Sequence, residues 1–501
     1  MKIFVSIKTT MKNIFSQLQK KSLFKTTLVF LILAEILSIF AWILPEFNLV
    51  TFLVILVVTL VLSLKKLEYG IYIAIVELII GSFGYLFAFE YHSTLIPIRI
   101  GIFTIVMFAW LIDVYRNGGL NEYFKKLKEF KFFKYYLALA IVLIWGFVWA
   151  LIRGNNFGSI FLDFNNWLFF LYLLPLISLS KNKEFWVNLK PVMLGALSWL
   201  ILKTIILLYI FSHNFIWALP ELYRWVRDTR IGEITQMSNN FYRIFIQSQI
   251  FALLAFFVSL PLYQKSKGVF NKYFFLILIS LAAVIISWSR SFWLGLIAGL
   301  FFYLIYLIYS RAKFKQYLIV SGKSIIVAAF ALLIILITIN LPPKISGESL
   351  GSLLAKRTTV IEAAGNSRLN MLKPLGLAIA DHPIIGSGFG TEVTYRSVDP
   401  RVLYATAGAS GSYTTYAFEW AYLDQILKVG LAGLIIYLLL IYKVIQALLK
   451  KVKDKSDNYE FYLGLSIALL ALLSVNIFTP YLNHPLGIGF ILLTSTYLYK
   501  K

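Results

Sequence analysis

The chain has 501 residues, of which 60% are hydrophobic and only 14% charged, with 47 Lys and Arg against 23 Asp and Glu for a net charge of +24. An ordinary soluble domain carries about 25% charged residues, so this composition excludes a string of water-soluble domains and fits a helix bundle whose solvent is lipid. The lack of cysteine excludes disulfides, thiolate nucleophiles and cysteine metal sites, and four histidines argue against a multi-histidine metal centre.

The first 25 residues carry Lys2, Lys8, Lys12, Lys20, Lys21 and Lys25 among scattered apolar side chains. That is the pattern of a basic amphipathic segment lying on a membrane surface. No small-residue cleavage pattern follows the first apolar run, which is therefore expected to stay as an anchor. Apolar runs then follow at Thr26–Leu44, Asn48–Leu64, Gly70–Phe89, Pro97–Asp113, Tyr135–Ile152, Asp163–Leu179 and Pro191–Phe211. They continue at Ile244–Tyr263, Tyr273–Trp288, Phe292–Tyr309, Ser324–Leu341, Val429–Leu449, Tyr459–Phe478 and Gly487–Tyr499. The expected fold is an all-α polytopic bundle of about fourteen transmembrane helices, a single membrane domain over residues 1–501. Runs shorter than a full crossing need tilt and flanking anchors.

Lysines fix the orientation. Lys65–Lys66, Arg116 to Lys134, Lys181 and Lys183, Lys265 to Lys272, Arg311 to Lys323, Lys450 to Lys455 and Lys500–Lys501 fall on one side if the crossings number fourteen. Basic loops stay inside, so both termini are expected in the cytoplasm. The positive balance belongs to these loops and is not a nucleic-acid surface. On the other side two segments are long: Ser212 to Arg243, and a large extracytoplasmic loop over 342–419, before the twelfth span. Loops of that size on a rigid scaffold tend to carry function.

Charges within spans are costly and mark sites or pairs. Glu35, Glu77 and Lys203 fall mid-span. Either Lys203 pairs with one of the carboxylates, or the three line a polar cavity or proton path. Arginines on the outer side run against the basic-inside bias: Arg224, Arg227, Arg230 and Arg243 in the first long segment, Arg290 in a tight hairpin, and Arg368, Arg396 and Arg401 in the large loop. A guanidinium's planar fork suits phosphate or carboxylate oxygens, so such a cluster points to a lipid-linked phosphate or diphosphate. The alternative is a structural network with Glu221, Asp228, Glu233, Asp381, Glu392 and Asp399.

In the large loop a helix-like stretch, Ser367 to Ala380, runs into Asp381-His382-Pro383-Ile384-Ile385-Gly386-Ser387-Gly388-Phe389-Gly390-Thr391. Glycines after a helix mark its end and a tight turn. The run lacks the lysine and spacing of a phosphate loop, so it is expected to shape a cavity, with His382 structural rather than catalytic. Glu419, where the loop closes, is either a paired surface acid or a general base toward a sugar hydroxyl.

Three of these pieces resemble the O-antigen ligase and polymerase family of bacterial membrane glycosyltransferases. They are Ser289-Arg290 with Trp293 and Gly295; Asn366-Ser367-Arg368 with the Asp381-His382-Pro383 and Gly386-Ser387-Gly388 turn; and Tyr422-Leu423 with Gly430-Leu431-Ala432-Gly433. The resemblance covers Arg243 to Lys450. It implies a glycan donor on polyprenyl (undecaprenyl) diphosphate, gripped by Arg243 and Arg290 with Arg368 in support, and metal-independent, inverting transfer without a cofactor. His382, Asp381, Arg224, Arg227 and Arg230 are possible supporting residues. Where ligases of the family carry a histidine, this chain has Glu419, which leaves a carboxylate as the candidate base.

The expectation is a membrane glycosyltransferase of the bacterial inner membrane with its site facing the periplasm or exterior. It joins the glycan to an acceptor glycan or glycolipid, as a surface-polysaccharide repeat-unit polymerase in company with other envelope polysaccharide assembly proteins. A ligase is the alternative within the class. A lipid-linked oligosaccharide flippase is the alternative outside it, but the chain shows no repeated halves or paired broken helices.

Overall fold

The structure, a computed structural model, describes residues 23–91, 94–237, 241–342, 363–397 and 411–499. The basic N-terminal segment as far as residue 22, together with Asp399 and Arg401, lies outside the described residues.

In chain order the elements begin with α1 (Leu23–Ile43), α2 (Glu46–Lys65), α3 (Leu67–Ile80), the antiparallel pair β1 (Ala88–Tyr91) and β2 (Thr94–Pro97), α4 (Ile98–Arg116), α5 (Gly119–Glu129) and α6 (Phe133–Ile152). Next come α7 (Phe157–Phe164), a 3-10 helix over Asn165–Tyr172, α8 (Leu173–Ser180), α9 (Lys183–Ser212), α10 (Leu219–Asp228), and the pair β3 (Gly232–Gln236) and β4 (Tyr242–Ile246). They are followed by α11 (Ile250–Lys265), α12 (Lys272–Ser287), α13 (Arg290–Tyr309) and α14 (Phe314–Asn340). The large loop holds α15 (Ala363–Asp381) and the pair β5 (Val393–Arg396) and β6 (Ser412–Thr415), and the chain closes with α16 (Ala421–Lys453), α17 (Tyr459–Val475) and α18 (Pro485–Tyr497).

Among the described residues nine helical stretches are long and apolar enough to cross a membrane: α1, α2, α4, α6, the continuous α7-to-α8 stretch, α9, α13, α14 and α16. The chain is a multi-pass membrane protein, mostly helical, and its described residues hold three short two-stranded sheets. Long and short helices differ in what surrounds them. In α1 only Leu31, Glu35, Ser38 and Ala41 are buried, one narrow stripe, and Val29, Phe30, Leu33 and Ile36 are exposed. Such a face needs lipid. In α18 every residue from Pro485 to Thr496 is buried. A helix walled in by protein need not match the bilayer's thickness, because its neighbours satisfy what lipid would not. Small residues let these central helices close up. A Cβ on Gly464 of α17 would run into Val258 of α11, and one on Gly295 of α13 into Val475 of α17.

The third apolar run departs from expectation. It is helical only to Ile80; Ser82 takes φ 52 and the chain turns through Gly84 before Phe89 enters β1. Positive φ cannot continue a right-handed helix.

The large loop is anchored to the bundle in two ways. A small core of Met371, Leu375, Val393, Phe418 and Leu427 joins α15 and β5 to the start of α16. The glycine turn then plugs a break in α16. Gly430 takes φ 70 and ψ 175, which frees backbone groups that must find partners. Ser387 N and Gly388 N donate to Leu427 O and Lys428 O at 2.6 and 3.0 Å, while Leu431 N and Ala432 N donate to Pro383 O and Ile384 O at 2.9 and 3.2 Å. Any side chain on Gly430 would collide with the Ile384 carbonyl. Phe389 N donates to Gly146 O of α6, and the Asn155 amide donates to Ser387 O and Phe389 O. The turn thus holds α6, α15 and α16 in one arrangement.

Candidate active site

Three arginines far apart in sequence meet beside this loop. Arg243 stands in β4 opposite Thr235. The pleat sets Phe245 on the same face, and the guanidinium carbon lies 4.9 Å over its ring. Arg243 Nε donates to Ser287 O at 3.1 Å, and its Nη1 is 3.7 Å from Glu233 Oε2, diagonally across the pair. The Ser287 carbonyl closes α12, immediately before Trp288 turns the chain at φ 47. Arg290 is then the first residue of α13, with its side chain exposed. A cation at a helix N-terminus opposes the helix dipole, whereas an anion there is favoured.

Arg368 comes from α15, through the large loop. Its guanidinium is held below its ordinary value, by burial first, then by the positive charges of Arg290 and Arg243, with Glu233 opposing. Arginine stays protonated regardless. The cause of the shift is what matters, since it means that Arg368 lies within electrostatic reach of both Arg290 and Arg243. Arg368 Nε donates to Glu419 Oε2, and the Arg368 carbonyl accepts from Trp420 Nε1 at 2.9 Å. Glu419 therefore stands against the arginine cluster, at the point where the loop enters α16.

On its other side Glu419 lines a cavity of about 380 Å³. The charged lining comprises Arg99, Arg230 and Lys428 with Asp163, Asp424 and Glu419. Lys428 and Asp424 are one turn apart on α16, so they share a face. Lys428 Nζ lies 2.7 Å from Asp424 Oδ1 and 2.6 Å from Asp163 Oδ1, and all three side chains are buried. Gly390 N, in the glycine turn, donates to Asp163 Oδ2 at 2.9 Å, and the Asn483 amide donates to Asp424 Oδ2 at 2.8 Å. Arg99 gives Nε and Nη2 to Glu77 at 2.8 and 3.0 Å, while its buried Nη1 has no partner among the described residues. Arg230 stacks over Tyr85 at 4.3 Å. The Tyr416 phenol on the rim is raised, by burial first and then by the Asp163 charge.

The other sequence candidates lie elsewhere. Arg224 faces Glu221 at 3.8 Å on the exposed side of α10, and Arg227 is exposed on the same helix. Neither lines the cavity. Asp381 ends α15 exposed, and His382 stands edge-on to Trp149, 6.1 Å between ring centres, where it holds the turn. Arg396 is exposed at the end of β5. Lys203 pairs with Glu35 at 2.5 Å, whereas Glu77 belongs to Arg99. Sequence inspection missed Arg99, Asp163, Asp424 and Lys428. The available signal was Asp424 and Lys428, two opposite charges at helical spacing beside an apolar run.

Among the described residues no group of three or more His, Asp or Glu side chains is arranged to hold a metal ion. The sequence matches no protein-family model and no curated protein sequence.

Proposed function

We propose that this chain is a membrane glycosyltransferase that takes a glycan from a polyprenyl diphosphate and joins it to a sugar hydroxyl. One observation carries the proposal: Glu419 touches Arg368 of the arginine cluster on one side and the polar cavity on the other. A diphosphate against Arg243, Arg290 and Arg368 and an acceptor hydroxyl in the cavity would then meet at one carboxylate. Glu419 takes the proton of the hydroxyl. The acceptor oxygen bonds to the anomeric carbon as the carbon–oxygen bond to the diphosphate breaks, and the diphosphate leaves with the electron pair. The arginines stabilise the charge that grows on it. A single displacement inverts the anomeric centre.

Glu419 in the place where ligases carry a histidine, and an expected count of about fourteen spans, favour a repeat-unit polymerase of surface polysaccharide in the bacterial inner membrane. We further infer fourteen crossings, with the five shorter helices α3, α11, α12, α17 and α18 inside the bundle and both termini in the cytoplasm, because that count collects the lysine-rich loops on one side. Single cysteines test this cleanly in a chain that has none. At the exposed positions Trp217 and Ser412 they should react with an impermeant reagent from outside; protection of either would overturn the orientation.

The activity test uses purified protein in liposomes with a defined polyprenyl-diphosphate oligosaccharide as the sole substrate. A ladder of lengthening glycans is expected. Transfer only when a separate acceptor is added would make the protein a ligase. Movement of the lipid across the bilayer with no new glycosidic bond would make it a transporter and sink the proposal.

A further inference from the structure

A larger cavity, about 1080 Å³, lies away from Glu419, where the lysine-rich stretches before α6 and after α16 meet. α13 and α16 both pack on α17, and α6 packs on α16, so the ends of four helices form its walls. The volume exceeds the range of about 300–1,000 Å³ usual for small-molecule sites.

Six lysines line this groove: Lys131 and Lys134 at the start of α6, Lys443, Lys450 and Lys453 on α16, and Lys455 just beyond it. Among the described residues no acidic side chain lines it. The acids nearest in sequence are engaged elsewhere or stand outside. Glu129 binds Lys181 at 3.1 Å, Glu460 binds Lys265 at 2.5 Å, and Asp454 and Asp457 are not part of the wall. None of the six lysines forms an ion pair among the described residues. Lys443 Nζ donates to Gln446 Oε1 at 3.1 Å, and Lys131 and Lys134 lie over the rings of Phe132 and Tyr135 at 5.6 and 5.1 Å. Basic inner loops are the rule in membrane proteins, and such lysines ordinarily stand in open water. Here two stretches far apart in sequence converge on one concavity, and a concavity lined by one sign of charge concentrates the opposite ion.

The rest of the lining is apolar and reaches deep. Phe302, Ile305, Tyr306 and Tyr309 of α13, Leu449 of α16 and Leu470 of α17 line the same groove, and each is at least partly exposed. Lys443 and Lys453 are ten residues apart on α16, a rise of about 15 Å. That equals the hydrocarbon depth of one leaflet, half of about 30 Å. Free phosphate would satisfy the lysines and leave the apolar wall uncovered, and an acidic protein segment does not enter hydrocarbon. Basic pockets between membrane helices suit anionic lipid head groups. We infer that this groove holds an anionic phospholipid of the lysine-side leaflet, its phosphate among Lys131, Lys134, Lys450 and Lys453 and its chains along Phe302, Ile305 and Leu470. The lipid bridges α13 and α16 at the ends opposite Arg290 and Glu419. Its binding does not depend on the transferase proposal.

The test titrates the delipidated full chain, in neutral detergent, by native mass spectrometry. The probes are dioleoyl phosphatidylglycerol, tetraoleoyl diphosphatidylglycerol and, as the zwitterionic counterpart, dioleoyl phosphatidylethanolamine. At least one anionic lipid should bind about tenfold or more tighter than phosphatidylethanolamine, the worth of one to two lysines. Lys450→Gln with Lys453→Gln should weaken that binding about 10–30-fold; both side chains are exposed, so the fold is kept. Lys125→Gln with Lys126→Gln removes two exposed lysines of α5 outside the groove and should leave it unchanged. Equal binding of phosphatidylethanolamine, an unaffected Lys450/Lys453 variant, or the same loss in the α5 variant would overturn the inference. So would displacement of the lipid by inorganic phosphate at equal concentration, which would mark a phosphate site. Binding of soluble polyglutamate with no anionic lipid retained would assign the groove to an acidic protein instead.

Discussion

Two sets of charges in this protein obey different rules. Inside the bundle Lys203 and Glu35 form a closed pair at 2.5 Å, each side chain only 5% exposed. In the cluster of Arg243, Arg290 and Arg368 like charges converge, and the contact between Arg368 and Glu419 is 34% and 51% exposed. Removing a charge from water demands a matched partner. A cluster at a solvent-open edge has no such demand: its like charges repel one another, offset in part by Glu233 and Glu419. The first arrangement is what a structure needs; the second, under the function proposed above, is what a ligand needs. The Asp163–Lys428–Asp424 triad stands between them, buried like the pair yet lining the cavity that Glu419 borders.

This contrast can be broken experimentally. The largest effect should come from the closed pair. Lys203→Ala leaves Glu35 buried alone and should lower stability by about 3–5 kcal/mol. The double variant Glu35→Leu with Lys203→Met should recover most of the loss, read as denaturant unfolding in detergent micelles. If the single variant unfolds like wild type, the pair is not structural. In the cluster the signs reverse. Arg290→Ala or Arg243→Ala should leave the unfolding midpoint in place while glycan transfer falls about 10²–10³-fold; full activity in both would dismiss the diphosphate role. Glu419→Gln should slow transfer at least about tenfold in a single-turnover assay. A smaller loss would move the base elsewhere, with the buried Asp163 and Asp424 first in line. The smallest effect belongs to Arg224→Ala, which breaks only an exposed contact to Glu221 worth about 0–1 kcal/mol. Its transfer rate should stay within about twofold of wild type, as a surface pair requires.

The membrane character of the chain and its apolar runs were legible because lipid solvation writes itself into composition and run length. The four residues proposed for the centre of the site were named on two grounds: outer arginines run against the basic-inside bias, and the motifs around Arg243, Arg290, Arg368 and Glu419 resemble a known family. Asp163 and Lys428 were not legible. They are 265 residues apart, and a single charge beside an apolar run looks like the run's edge. Arg99 was hidden in the same way, two residues after Pro97, and its pairing with Glu77 follows from the packing of α3 on α4. The 3-10 segment was invisible too, since Asn165 to Tyr172 reads as part of one apolar span.

The break at Gly430 also bears on how the protein is made. The backbone groups that close it belong to the turn over 382–391, which in turn leans on Gly146 and Asn155. All of these leave the ribosome before Gly430 does. The order of synthesis therefore suits the order of assembly: when α16 arrives, its partners are already present, and α17 and α18 pack afterwards. A lesion in the turn would accordingly be felt during biogenesis. It would appear as protein that stalls, is cleared by membrane proteases and never accumulates, rather than as mature protein that has lost its chemistry.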